Sequence, residues 1–221
     1  MSRAAGEAPW QVRAAEMVRR LGSMEPRLAA AMRRVPRHRF VPVALAGEAY
    51  DDTPLPLGPR GSTISAPHMV ALQLEWAELA PGLRVLELGS GSGYLAALLA
   101  ELVRPGGHVV GVELDHALSE RSAAILSELG YGETVTIQSA DARMGWPAAA
   151  PYDRIVVSFA TPEIFPEWQA QLETPGILVA PVGPSTGQVL RRLRHDGKGD
   201  RIEDGPGCIF VGLASAHARP K

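Results

Sequence analysis

A glycine-rich loop between a predicted strand and a predicted helix constrains the fold of this chain more than any other feature. The strand covers residues 84–88, the loop reads Gly89-Ser90-Gly91-Ser92-Gly93, and a helix over residues 94–103 follows directly. Glycines let the backbone turn sharply and approach a ligand without a Cβ in the way. Such a loop is typical of the carboxyl end of the first strand in an open α/β sheet, where ligands bind.

Strands and helices alternate along the rest of the chain, which predicts a mostly parallel central sheet with helices on both faces. The further predicted strands cover residues 108–113, 134–138, 153–158 and 177–181, and the further helices residues 117–129 and 167–172. A last pair of strands, 189–194 and 208–213, is expected to be antiparallel and to close one edge of the sheet. The predicted class is therefore α/β.

The first 80 residues have a different character. Apolar residues at helical spacing predict helices over residues 10–21, 26–34 and 66–79, and a loop rich in proline and glycine covers residues 50–61. We interpret residues 1–80 as a helical cap with a substrate loop, 81–213 as the sheet core and 214–221 as a tail, all within one domain.

Composition excludes several classes of protein. The 221 residues carry 22 basic and 24 acidic side chains, a net charge of -2, and this balance disfavours a nucleic-acid binder that relies on a basic excess. The single cysteine, Cys208, excludes an intrachain disulfide and a zinc site built on two or more cysteines, so we expect no metal. No signal peptide and no apolar run of about 18 residues is visible, so we expect a cytoplasmic protein without a membrane partner.

The spacing within the glycine loop narrows its ligand. A dinucleotide fingerprint requires Gly-x-Gly-x-x-Gly, but here the third glycine is one residue early and Tyr94 occupies its place. A phosphate-binding P-loop requires a lysine, and this region has none. The pattern Glu-x-Gly-x-Gly-x-Gly instead resembles the first motif of S-adenosylmethionine-dependent methyltransferases. That resemblance implies that Glu87 lies near the amino-acid end of the cofactor and that the loop binds it through Gly89, Ser90, Gly91 and Gly93.

Two further acidic residues lie at or after the ends of predicted strands. Glu113 lies 24 residues after Gly89, and its carboxylate can accept both hydrogen bonds of a ribose diol. Asp141, with Ala142 beside it, follows the third strand, and the resemblance implies a contact with the adenine amino group. The alternatives are a solvated acid at a strand end for Glu113 and a helix N-cap or turn aspartate for Asp141.

A second resemblance is more specific. The run Thr63-Ile64-Ser65-Ala66-Pro67-His68-Met69-Val70 looks like the signature of protein-L-isoaspartate O-methyltransferases. Four other stretches agree with that family in order and spacing, so that the resemblance covers roughly residues 10–213. They are residues 35–42, 49–58, 150–157 and 171–183.

The resemblance implies a Rossmann-like methyltransferase fold with an N-terminal helical cap, and a cofactor, S-adenosyl-L-methionine. The implied reaction methylates the α-carboxylate of L-isoaspartyl residues in damaged proteins or peptides, and the ester then collapses to a succinimide that partly restores aspartate. Ser65 takes the catalytic role, and we expect Thr63, Ile64 and His68 to bind the substrate. Judged without the family, Ser65 is more often a plain N-cap, and His68 borders the cofactor or only packs on its helix. We expect a monomer.

Three segments depart from the family pattern, all of them near the adenine or the substrate. The run from Gly58 to Thr63 is one residue longer than usual, alanines flank Asp141 in place of glycines, and Ala214 replaces a hydroxyl residue unless Ser215 substitutes for it. The sequence therefore specifies the cofactor more strongly than the substrate. The main alternative is a related carboxyl methyltransferase that acts on a dedicated peptide in natural-product tailoring. A non-catalytic cofactor-binding module and a small-molecule methyltransferase are further alternatives.

Overall fold

The computed structural model describes residues 9–58 and 61–212 and contains one large sheet and one small one. The strands in these ranges are β1 (Leu55–Pro56), β2 (Thr63–Ile64), β3 (Arg84–Leu88), β4 (His108–Glu113), β5 (Val135–Ser139), β6 (Tyr152–Val157), β7 (Leu172–Val182), β8 (Gln188–His195) and β9 (Asp200–Cys208). The α-helices are α1 (Pro9–Leu21), α2 (Pro26–Arg34), α3 (Pro67–Ala77), α4 (Tyr94–Val103), α5 (His116–Glu128) and α6 (Pro166–Gln169).

The large sheet has seven strands in the order β5-β4-β3-β6-β7-β8-β9. The five strands β3 to β7 are mutually parallel. Strand β8 runs antiparallel to β7, and β9 runs antiparallel to β8. The strand order reverses at β3. Strands β4 and β5 are added on one side of β3, and the later strands β6 to β9 are added on its other side. The predicted α/β class with an antiparallel carboxyl-terminal edge is confirmed.

The two faces of this sheet are covered unequally. Val85 of β3 belongs to a hydrophobic core shared with α1 to α5, whereas Leu86 and Leu88 point to the opposite face. That opposite face is covered by short helical turns at Ala142–Met144 and Pro147–Ala149 and by α6, whose fully buried Trp168 donates its indole N–H to the Ala142 carbonyl at 2.9 Å. The expectation of helices on both faces holds, but long helices cover only one face.

Two predicted elements near the carboxyl terminus were wrong. The last strand is Asp200–Cys208 and not 208–213, and residues 209–212 lie outside any strand. This strand is the exposed edge of the sheet, so it lacks the buried alternation that the prediction required and tolerates Pro206. The helix predicted over 167–172 ends at Gln169, because Leu172 already pairs with Tyr152 in the sheet.

The amino-terminal helices do not form a separate layer. Side chains of α1, α2 and α3 share one hydrophobic core with α4 and the sheet. The division into cap, core and tail stays a prediction, and residues 214–221 lie outside the described residues. None of the helices in the described ranges has the length and apolar character that a membrane span requires.

Candidate active site

The candidate site lies at the carboxyl ends of β3 and β6. These two parallel strands are neighbours at the point where the strand order reverses. Open α/β sheets bind their ligands at such a switch point. Gly89 follows β3 and Ser158 follows β6, and the Ser158 backbone N–H donates to the Leu88 carbonyl at 2.8 Å. Three hollows meet there, which we name the outer cavity, the inner cavity and the Ser65 groove.

The glycine loop has the conformation that its sequence predicted. Gly89 has φ +82°, and a Cβ at this position would lie 2.7 Å from the Phe159 ring. A larger residue would therefore be strained and would collide with Phe159. Gly93 caps α4 with φ +84°, and its Cβ position faces Ser122 and Leu126 of α5 at 3.1 Å. The structure thus brings Gly89, Ser90 and Gly91 to the cavities but packs Gly93 against α5.

The outer cavity collects most of the predicted cofactor residues. It is lined by Ser62, Thr63, Gly89, Gly91, Glu113, Leu114, Asp141, Ala142, Ser158, Phe159, Val211 and Gly212. Glu113 accepts the N–H of Gly91 at 2.8 Å and that of Asp115 at 2.9 Å, one with each carboxylate oxygen. A carboxylate has about four acceptor sites, so Glu113 braces the loop and still has acceptor sites for a diol.

Asp141 has a structural task as well. It caps the turn Ala142–Met144 by accepting the Arg143 backbone N–H at 3.0 Å, and its carboxylate also pairs with the Arg143 guanidinium. The alternative of an N-cap aspartate is therefore correct for Asp141. Because Asp141 and Ala142 also line the outer cavity, the predicted adenine contact stays a prediction.

The inner cavity contains buried polar atoms without partners. Its lining residues are Thr63, Ile64, Ser65, Val70, Gln73, Glu87, Gly89, Ser90, Gly91, Ser92, Tyr94, Leu95 and Ser158. Within the described ranges, three of their side-chain oxygens are buried without a hydrogen-bond partner: Glu87 Oε2, Ser90 Oγ and Ser158 Oγ. The buried Tyr94 hydroxyl interacts with Arg37. Burial, and next the charge of Glu113, raise the pKa of Glu87 well above its ordinary value. Buried polar groups normally have partners, so this set of acceptors fits a ligand that carries an ammonium group.

The Ser65 groove opens on the other side of the same junction. Its volume is about 310 Å³, within the range of ligand sites, and its lining residues are Pro54, Thr63, Ser65, Ala66, His68, Met69, Ser158, Gly207, Cys208, Ile209, Phe210 and Val211. Helix α3 has Ala66 as its N-cap residue and Pro67 in its first turn, so the plain N-cap alternative for Ser65 is wrong. Ser65 instead lines both the groove and the inner cavity.

Of the remaining predicted substrate residues, Thr63 and His68 line this groove, whereas Ile64 lines the inner cavity. Thr63 and Ile64 form β2, which pairs with β1, and Ile64 is buried in the core. His68 is half exposed at the edge of the groove, and both its backbone N–H and its Nδ1 lie 2.9 Å from Asp52 Oδ1. His68 therefore borders the Ser65 groove and is absent from the lining of the two cavities.

Sequence reasoning missed Ser158. Among the described residues, only Thr63 and Ser158 line all three hollows, so their side chains lie where the cavities meet the groove. The available signal was its position at the end of the strand predicted over 153–158. The structure shows that this strand neighbours the glycine-loop strand. Within the same described part of the chain, no cluster of three or more His, Cys, Asp or Glu side chains is arranged to hold a metal ion.

Comparison with known proteins gives one consistent family. The sequence model of the family "Protein-L-isoaspartate(D-aspartate) O-methyltransferase (PCMT)" matches residues 13–218. A protein-L-isoaspartate O-methyltransferase of Methylorubrum extorquens is 52% identical over 78% of this chain and 73% of the relative. The enzyme of that name from Methanopyrus kandleri is 44% identical over 91% of this chain and 89% of its own length.

Solved structures agree with the fold. A structure named protein-L-isoaspartate O-methyltransferase superposes with a TM-score of 0.83 at 27% identity, covering 93% of this chain and 66% of that chain. A Plasmodium falciparum structure described as belonging to the same enzyme class, in complex with S-adenosyl-L-homocysteine, has a TM-score of 0.81 at 24% identity and covers 94% of this chain and 99% of that one. The second likeness supports the fold alone.

Proposed function

Because this chain belongs to the protein-L-isoaspartate(D-aspartate) O-methyltransferase family, we propose that it methylates the free carboxylate of L-isoaspartyl residues in proteins or peptides and so takes part in protein repair. The methyl donor of the family is S-adenosylmethionine. The observation that carries the proposal is the meeting of two cavities and the Ser65 groove at Thr63 and Ser158. A group-transfer enzyme needs a donor pocket and an acceptor pocket that share one wall.

We propose that the donor side is formed by the residues predicted from the sequence: Glu87, Gly89, Ser90, Gly91, Gly93, Glu113, Asp141 and Ala142. When bound, S-adenosylmethionine supplies a methyl group that its sulfonium already activates. The unpartnered Glu87 Oε2 and the Ser90 hydroxyl suit the ammonium at its amino-acid end. Glu113 accepts from the ribose hydroxyls and Asp141 from the adenine amino group. Gly93 acts indirectly by letting α4 and α5 pack closely behind the loop.

The acceptor side makes modest chemical demands. A carboxylate is ionised at neutral pH and is a nucleophile without a general base. The chain therefore has to align one carboxylate oxygen with the methyl group and exclude water. We propose that the Ser65 hydroxyl donates a hydrogen bond to the acceptor carboxylate, that Thr63 and Ile64 hold the adjacent backbone, and that His68 contacts the peptide at the groove edge. The hydrogen bond from Ser65 offsets part of the cost of removing the carboxylate from water.

We also propose that the enzyme works as a monomer in the cytoplasm, without metal or nucleic acid. The near-zero net charge supports a protein that accepts many different surfaces as substrate. The single cysteine is typical of a reducing compartment.

A methylation assay with paired peptides tests this function. The pure protein is incubated with methyl-labelled S-adenosylmethionine and two peptides that differ only in isoaspartate against aspartate at one position. We expect a base-labile methyl ester on the isoaspartyl peptide alone. In the same assay Ser65→Ala should lower turnover by about tenfold or more, while the Kd of S-adenosylhomocysteine stays within about twofold. Absence of transfer to both peptides would overturn the proposal.

A further inference from the structure

Arg37 is a fully buried arginine that belongs to none of the cavity linings. Its guanidinium is 0% exposed and donates from Nε to the Ala49 carbonyl at 2.7 Å and from Nη2 to the Ser65 carbonyl at 2.9 Å. It also stacks on the ring of Tyr94, with its central carbon 4.9 Å from the ring centroid. Arg37 thus joins the loop around Ala49, the Ser65 segment and the first residue of α4.

The positive charge of Arg37 has no direct counter-ion in the described part of the chain. No carboxylate there lies within ion-pair distance of the guanidinium. Its buried Nη1 makes no hydrogen bond of good geometry, and the neighbouring Tyr94 side chain is the polar group that interacts with its charge. The charge of Asp52 acts on it through space, but Asp52 Oδ1 bonds to His68. Burial lowers the pKa of Arg37, yet an arginine keeps its proton in proteins. A buried charge without an ion pair costs free energy, so its retention needs a reason.

The surroundings of Arg37 supply that reason. Ser65 and Tyr94, which it contacts, both line the inner cavity, and the same cavity contains the buried carboxyl of Glu87. Burial, and next the charge of Glu113, raise the pKa of Glu87, so this region disfavours additional negative charge. An acceptor carboxylate that leaves water beside Ser65 would be repelled there. A fixed positive charge one hydrogen bond behind Ser65 offsets that repulsion, and low-polarity surroundings strengthen its effect.

We propose that Arg37 is a positioning residue of the acceptor site, which fixes the Ser65 backbone and supplies the positive charge that a desolvated acceptor carboxylate requires. This inference rests on the proposed function, because it assigns the charge to the acceptor carboxylate. The carboxylate of the cofactor has the same chemistry and is the competing source. Arg37 does not line the groove, so it acts through Ser65 and through its electric field.

Two substitutions separate the charge of Arg37 from its hydrogen bonds. Arg37→Lys keeps the charge, and Arg37→Gln keeps hydrogen-bond donors but removes the charge. Arg39→Gln is the matched control, because Arg39 lies in the same short helix, Arg37–Phe40, and pairs with Glu128 on the surface. Each variant is assayed for kcat and KM with the isoaspartyl peptide and for the Kd of S-adenosylhomocysteine, and thermal unfolding checks its fold.

We expect Arg37→Gln to raise the KM for the isoaspartyl peptide by about tenfold or more, because it removes stabilisation of the bound carboxylate. Arg37→Lys should stay within about threefold of the wild-type KM, with a lower kcat because one ammonium cannot reproduce the planar fork. The Kd of S-adenosylhomocysteine should change by less than about twofold in both variants and in Arg39→Gln. If the Gln variant does not fold, the KM of the Lys variant decides alone.

Three results would overturn the inference. The first is a normal KM in Arg37→Gln, and the second is a KM in Arg37→Lys raised about tenfold or more, which would mean that the hydrogen-bond geometry and not the charge matters. The third is a loss of S-adenosylhomocysteine affinity of about tenfold or more in Arg37→Gln, which would mean that the charge of Arg37 stabilises the carboxylate of the cofactor. A wild-type protein that does not methylate the isoaspartyl peptide would overturn the proposed function and this inference with it.

Discussion

At the scale of single residues, Ser158 lies where the two cavities meet the Ser65 groove, which is where the proposed donor and acceptor sides adjoin. Its backbone is fixed by the hydrogen bond to Leu88, and its Oγ is buried without a partner among the described residues. Val156 pairs with Glu87 across β6 and β3, and Ser158 follows Val156 by two residues, so its side chain points to the same face as Glu87. Its hydroxyl can therefore donate to an acceptor oxygen at the junction.

Removing this hydroxyl tests that role. Ser158→Ala should lower kcat/KM for the isoaspartyl peptide by about tenfold, the value of one hydrogen bond to a charged group. The Kd of S-adenosylhomocysteine should stay within about twofold of wild type. Ser158→Thr, which keeps the hydroxyl, is the matched control and should retain most of the activity. An alanine variant with unchanged kcat/KM would remove Ser158 from the account.

Glu87 leads to a prediction about pH and stability. Because burial raises its pKa in the folded state, folding favours the protonated carboxyl. The free energy of unfolding of the ligand-free protein should therefore fall as the pH rises from the ordinary carboxyl range toward the raised pKa. Glu87→Gln, which cannot ionise, should become increasingly more stable than wild type over this range.

Denaturant unfolding at a series of pH values measures this difference. The control is Glu75→Gln on the exposed face of α3, whose stability should parallel that of wild type at every pH. A Glu87→Gln variant whose stability also runs parallel to wild type would show that burial does not control this carboxyl.

At the scale of elements, the amino terminus of α3 is held by a residue outside the helix. Its N-cap residue, Ala66, provides no side-chain acceptor, and Asp52 accepts the His68 N–H from a loop 16 residues earlier. An aspartate near a helix amino terminus satisfies a free backbone N–H and interacts favourably with the helix dipole. The same contact ties the loop that carries Pro54 to the edge of the Ser65 groove.

Asp52→Ala should therefore have two effects. Loss of the cap should reduce the free energy of unfolding by about 1 kcal/mol, and the released loop should raise the KM for the isoaspartyl peptide. Urea unfolding and peptide kinetics measure the two effects. Asp51→Ala is the matched control, since the neighbouring Asp51 is exposed and its side chain accepts no hydrogen bond from α3 within the described residues. If both variants behave alike, the cap from the loop is not a real determinant of this site.

The elements also show which parts of the fold were predictable. The glycine loop and its flanking elements were predicted closely, because a buried strand, a turn with positive φ and an apolar helix each leave a local pattern. Strand β9 was missed because an edge strand has no buried face to produce alternation. Gly93 was grouped with the ligand-binding glycines because its contact with α5 depends on tertiary packing.

At the scale of the whole molecule, the topology of the sheet creates the site. Ser65 precedes α3 and Ser158 follows β6, and both line the same groove. They meet because α3 packs against β6, where Gln73 Nε2 donates to the Val157 carbonyl at 2.8 Å. The importance of Ser65 was inferred from family resemblance, since a single serine has no distinguishing local pattern. Ser158 and the buried Arg37 were not recognised, because their meaning depends on burial and on neighbours distant in the chain.

The most direct test of this account is a crystal structure of the protein with S-adenosylhomocysteine and an isoaspartyl peptide. We expect the isoaspartyl carboxylate at the junction of the two cavities and the groove, with an oxygen within hydrogen-bond distance of the Ser65 or Ser158 hydroxyl. A carboxylate bound away from both hydroxyls, for example in the surface hollow beside Leu57 and Arg121, would contradict the account.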